Sequence, residues 1–140
     1  MFNENDVRRL RRFLDELSFV RRISPYEREY LDEAAQRGAD ELMTALNRTM
    51  GSELENLLAE TAQCCAGQTN LILDLISLAG AGCSEAEWQN NREGILDCLA
   101  ACECAMELAE RFAPETRLRI ASCVEQCRLA ERKCRLKILV

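Results

Sequence analysis

The chain contains no histidine in 140 residues. That absence removes cysteine nucleophiles activated by a histidine base and the Glu-x-x-His ligand sets of di-iron helical bundles. Aromatic residues make up only 5% of the chain, with a single tryptophan, so aliphatic, alanine and cysteine side chains must fill the core. Two prolines and six glycines leave little punctuation, which suits long helices better than a turn-rich β-fold. The stretch from Met1 to Arg12 turns polar at once and lacks the apolar core of a secretory signal, and no apolar run approaches membrane length. A cytoplasmic location with no membrane contact is therefore expected.

What is present is 48% hydrophobic and 30% charged. This profile and length fit one helical domain spanning residues 1–140. The net charge of −6 is unevenly spread. Residues 1–50 carry 9 basic and 10 acidic groups, residues 51–112 carry 2 and 11, and residues 113–140 carry 7 and 3. An acidic middle beside a basic C-terminal segment favours attraction between neighbouring antiparallel helices. The sequence pI of about 4.8 argues against a nucleic-acid partner. The run Arg8-Arg9-Leu10-Arg11-Arg12 reads as a solvated helix face.

Boundary signals divide the chain into five helices. Asn5 or Asp6 can cap the first, whose stripe Val7, Leu10, Phe13, Leu14, Leu17 and Val20 has helical spacing and ends near Ile23. Ser24-Pro25-Tyr26-Glu27 joins an N-cap, a first-turn proline and a capping-box glutamate, opening a second helix expected to run to about Asn47. After Gly51, Ser52 with Glu55 repeats the box. It opens a third helix with the expected seam Leu54, Leu58, Thr61, Cys65, Gln68, Ile72, Leu75 and Ala79. A turn at Gly80-Ala81-Gly82 and a third box, Ser84 with Glu87, lead into a fourth helix reaching Phe112. Ala113-Pro114 starts the fifth, with Arg132, Lys133, Arg135 and Lys137 near its C-terminus, where positive charge suits the helix dipole. Long helices joined by short turns lie antiparallel to their neighbours. The expected fold is all-α: an antiparallel up-down four-helix bundle of long helices with an additional short N-terminal helix.

Nine cysteines in a reducing compartment read as free thiols, metal ligands or redox groups before a permanent disulfide framework. Residues four apart on a helix are offset by roughly 40°, so Cys98 and Cys102 share one face and Cys123 and Cys127 another, with Cys134 a heptad further on. If the last two helices fold back at Phe112 to Pro114, Cys98 is level with Cys127 and Cys102 with Cys123. The preceding hairpin, folded near Ala81, brings Cys65 level with Cys98. Candidate metal ligands are therefore Cys98, Cys102, Cys123, Cys127 and Cys65, with Cys134 one layer away. Cys104 points elsewhere, Cys83 sits in a turn and Cys64 flanks the seam.

Thiolates favour Cu(I) and Zn(II). With twin C-x3-C pairs on long helices, the chain resembles the cysteine-rich four-helix-bundle copper storage proteins. That resemblance implies Cu(I) bound within the bundle by Cys98, Cys102, Cys123 and Cys127, with Cys65 and Cys134 as further ligands. Without histidine, it implies a few ions in place of a large store. The C-x3-C hairpin is also similar to that of the small mitochondrial intermembrane-space chaperones, whose resemblance implies disulfides between the two pairs. The competing reading is a structural or protein-interaction bundle, self-associating or bound to a protein partner, whose cysteines are small hydrophobic core residues. In either case no enzymatic activity is expected.

Overall fold

The computed structural model describes residues 3–79 and 82–136. Among these residues every regular element is helical: α1 (Glu4–Val20), α2 (Pro25–Arg37), α3 (Ala39–Met50), α4 (Leu54–Ala79), α5 (Glu85–Leu108) and α6 (Pro114–Arg135). Short 3₁₀ turns at Gly51–Glu53 and Ala109–Arg111 lead into α4 and out of α5. The turn expected at Gly80-Ala81-Gly82 lies outside the described residues at its first two positions, as does Lys137.

Local chemistry sets most of the boundaries. The cap of α1 is Asn3, not Asn5 or Asp6. Its side chain accepts the Asp6 N–H at 3.0 Å while the Asp6 carboxylate accepts the Asn3 N–H at 3.2 Å, a full capping box one turn earlier than expected. Ser24 and Glu27 make the same reciprocal pair at the start of α2, with Pro25 in the first turn. Ser84 accepts the Glu87 N–H at 3.2 Å and caps α5. The box expected from Ser52 and Glu55 is replaced by the 3₁₀ turn, and Glu55 turns instead to α6, accepting the Thr116 hydroxyl at 2.5 Å.

The single second helix expected from Pro25 to Asn47 is two helices. Gly38 adopts φ 123° and ψ 175°, a conformation essentially confined to glycine. The backbone break reverses the chain so that α2 and α3 pack on each other. Both halves are amphipathic at helical spacing, which is why the stripe Leu31, Ala34, Ala35, Leu42, Met43, Leu46 looks continuous although its helix is not.

The packing centres on α4, α5 and α6, which touch one another along their lengths. Cys102 meets Cys127 and Arg92 meets Glu131 across α5 and α6, so these two helices run antiparallel. Cys98 meets Gln68 and Cys102 meets the Ala62 carbonyl, so α4 and α5 are antiparallel too. Helix α1 crosses this group: Arg9 pairs with Glu107 near the end of α5, and Arg21 pairs with Glu53 just before α4. The main core gathers Leu10, Phe13, Leu14 and Leu17 of α1 with the first half of α4 and the second half of α5. Each such leucine, removed from water, contributes about 1.5–3 kcal/mol. The remaining end has its own smaller cluster of Ile76, Trp88, Ile95, Ala130 and Cys134.

Because α1 covers only the first half of α4, the expected seam fails in the second half. Leu75 is 63% exposed, along with Leu71 at 64% and Leu78 at 86%, and Ala79 is exposed. Thr69 and Ile76 are the buried residues there, with Leu73 half-buried against the smaller cluster. No helix among the described residues is long and apolar enough to cross a membrane.

Candidate thiol site

The inward stripes of three helices meet at one level. Cys102 of α5 and Cys127 of α6 lie with their sulfurs 3.7 Å apart, both buried. This is a van der Waals contact, well beyond the ~2.05 Å of a disulfide, and all nine cysteines are free thiols. Cys65 of α4 interacts with Cys102 from the third side, while Cys98 and Cys123 are close enough to feel the charge on Cys65 and Cys127. The five cysteines expected near one level lie together here, and Cys134, expected one layer away, does not join them. The closest pair is the diagonal Cys102 with Cys127, where equal distance from the fold had paired Cys98 with Cys127 and Cys102 with Cys123. For this pair the offset is about half a helical turn on each helix, while Arg92 with Glu131 and Trp88 with Cys134 stay close to the expected register.

Cys134 is absent from this layer and belongs to the smaller cluster near Trp88. Cys104 is buried on the opposite side of α5, beneath α1, where Arg9 and Glu107 are its charged neighbours. Cys64, half-buried, faces Glu16 and Gln68. Among the described residues, no group of three or more Cys, Asp or Glu side chains is arranged to hold a metal ion.

The thiols differ in how readily they ionise. Burial pushes Cys98 up to about 12, helped by the nearby Cys65 and Cys127. Burial likewise raises Cys123 and Cys104. Cys102 is raised, chiefly because its S–H serves as donor to Cys127 and interacts with Cys65, and then by burial. Cys127 alone is lowered: as a thiolate it accepts hydrogen bonds from Cys102 and from the Thr69 hydroxyl, which outweigh its burial. Thr69 also donates to the Ala66 carbonyl at 2.7 Å in the same helix, so its single proton must choose between the two. Within the Cys102–Cys127 pair, Cys127 is therefore the sulfur that ionises more readily.

A polar chain reaches the layer from the surface, and little in the sequence foretells it. Glu16 is buried on α1, ion-paired to Arg12 at 2.8 Å, and accepts the Gln68 amide at 3.1 Å. The other end of Gln68 accepts from the Cys98 thiol at 3.5 Å. Gln68 stands out in the sequence as a polar residue on an apolar stripe, but its partner Glu16 comes from a different helix. Thr61, the other polar seam residue, bonds back to the Leu57 carbonyl at 2.7 Å and serves its own helix.

Elsewhere the surface grooves are shallow and charged. One of about 270 Å³ is lined by Glu103, Glu107, Glu125, Arg9 and Arg128, with no cysteine. Its charges pair with one another, Arg9 with Glu107 and Arg128 with Glu103 and Glu125. The chain matches no protein-family model, no curated protein and no solved structure.

Proposed function

We propose that this chain is a non-enzymatic, cytoplasmic protein that binds a soft metal ion through the thiol layer of Cys65, Cys98, Cys102, Cys123 and Cys127, with Cu(I) preferred to Zn(II). The observation that carries the reading is the Cys102–Cys127 sulfur pair, 3.7 Å apart across two helices, with Cys65 of a third helix beside it. Two or three soft sulfurs satisfy Cu(I), whereas structural Zn(II) asks for a tetrahedral set of four. A pair that already touches must open only slightly to admit an ion between its sulfurs.

The residues divide the work. Within the Cys102–Cys127 pair, Cys127 gives up its proton first, supported by Thr69 and the Cys102 S–H. Cys102 follows once a cation lies between the two sulfurs, since an opposite charge offsets the hydrogen bonds to Cys127 and Cys65, and the burial, that hold it protonated. Gln68 holds Cys98 at the edge of the layer and ties it to Glu16. Because bound thiols must lose protons, apparent affinity rises with pH, up to about tenfold per unit for each proton released. The architecture that fits this role is a single-domain antiparallel up-down bundle: α4, α5 and α6 supply three members and α1 to α3 close the fourth side.

A second reading is supported by the burial of the thiols: a scaffold whose cysteines are core packing and which self-associates through Leu71, Leu75 and Leu78. Anaerobic titration of the reduced protein with Cu(I) and, separately, Zn(II) against a competing chelator separates the two. Stoichiometric Cu(I) uptake that protects thiols from alkylation, and that is lost in C102S/C127S, supports the metal site. Absence of uptake, with thiols unreactive until denaturation, refutes it in favour of the scaffold.

A further inference from the structure

The slim end of the molecule holds a second pair of thiols. Trp88, the chain's one tryptophan, is 8% exposed and donates its indole N–H to the Cys134 carbonyl at 2.8 Å. Ile76, Ile95, Ala130 and Cys134 form the buried wall around it, and Cys83, half-buried in the turn before α5, packs against that wall. The two cysteines come from the start of α5 and the end of α6, and the antiparallel pairing of those helices brings both to this one cluster. Cys83 lies near enough for its charge to act on Cys134, alongside Arg92 and Glu131, which pair at 3.2 Å.

We propose that Cys83 and Cys134 form a second soft-metal site, distinct from the Cys102–Cys127 layer and holding one Cu(I) between two thiolates. The choice of ion rests on the function proposed above; the pairing of these two cysteines does not. Cys134 is buried and supplies a fixed sulfur from α6, while Cys83 is partly open to solvent and gives an ion access without unpacking the bundle. Neither C-x3-C motif includes Cys83, and a half-exposed thiol in a turn does little for core packing. Its S–H makes a weak hydrogen bond, 3.7 Å to the Ser84 carbonyl. Two thiolates with one Cu(I) carry a net charge of −1, and the Arg92 guanidinium stands beside the pair to balance it. The apolar wall excludes water and strengthens that attraction.

Trp88 is a built-in reporter, because any ion on Cys134 sits against the residue whose carbonyl holds the indole. The test is anaerobic Cu(I) titration of the intact chain, following Trp88 emission together with ultraviolet thiolate-to-copper absorption, in the native protein, C83S, C134S and C102S/C127S. The proposal predicts quenching that saturates with one Cu(I), survives in C102S/C127S, and needs at least tenfold more free Cu(I) in C83S. C83S is the decisive variant because its side chain is half-exposed and its loss should leave the fold intact. Quenching in C83S identical to the native response overturns the site. Copper absorption that develops with no change in Trp88 emission overturns it too, while leaving the Cys102–Cys127 layer standing. No Cu(I) uptake by the native protein overturns both.

Discussion

The second half of α4 carries more leucine than the first, four residues against three, yet the leucines of the first half are core and most of those of the second are surface. In the first half Leu54, Leu57 and Leu58 are buried under α1 and the turn from α3; in the second Leu71, Leu75 and Leu78 face outward. Nothing within the helix accounts for the difference. Helix α1 crosses from α5 to the start of α4 and stops there, so the face it would cover further along stays open. Among the described residues, the slim end is buried by α4, α5 and α6 with Cys83 of the preceding turn, gathered round Trp88. A helix's apolar pattern says which faces want a partner; the path of the neighbouring helices decides which of them find one.

The sharpest way to probe this contrast is to remove matched side chains from each region and measure stability by urea denaturation of the reduced protein. Phe13→Ala, in the covered end, should cost the most, about 3–5 kcal/mol, since it empties a fully buried ring site. Ile76→Ala, in the slim end, should cost about 2–4 kcal/mol, less because three helices can collapse on the gap more easily than five. Gly38→Ala should cost about 1–3 kcal/mol, since alanine is strained at φ 123° and the α2–α3 reversal depends on that backbone. Leu75→Ser should stay within about 0.5 kcal/mol, because that side chain is already 63% exposed. A Leu75→Ser loss as large as that of Ile76→Ala would mean that the second half of α4 is covered in solution, by a second copy or by another part of the chain, and light scattering of the same variant would tell which.

The thiols add a pH test on the covered end. In the unfolded chain Cys98 ionises near its ordinary value of 9.0, whereas in the folded chain burial holds it protonated to about 12. The folded state thus binds the extra proton between those values, so this contribution is intact below about pH 9 and fades as pH rises toward 12. Denaturation midpoints of the metal-free protein should fall over that window, and fall less in C98A.

Much of this molecule is legible in its residues. Pro25, Ser84 and Pro114 mark helix starts because first-turn proline and serine caps act locally. The meeting of Cys98, Cys102, Cys123 and Cys127 is legible because a short turn at residues 109–113 leaves α5 and α6 one way to pack. Gly38 is not, since a glycine within an amphipathic run is tolerated in many helices and only its backbone angles reveal a break. The exposure of Leu75, the link from Glu16 through Gln68 to Cys98, and the placing of Cys83 against the cluster that holds Cys134 all depend on how separate segments cross. Helical spacing carries no information on that.

The central claim, that buried sulfurs of the α4–α5–α6 layer hold Cu(I), is tested most directly by copper K-edge X-ray absorption of the C83S protein loaded with one Cu(I), which leaves the Cys102–Cys127 layer as the remaining site. The account predicts Cu(I) with only sulfur as nearest neighbours, lost when C102S and C127S are added. Copper bound through oxygen or nitrogen, or copper that fails to stay with the protein through desalting, would contradict it.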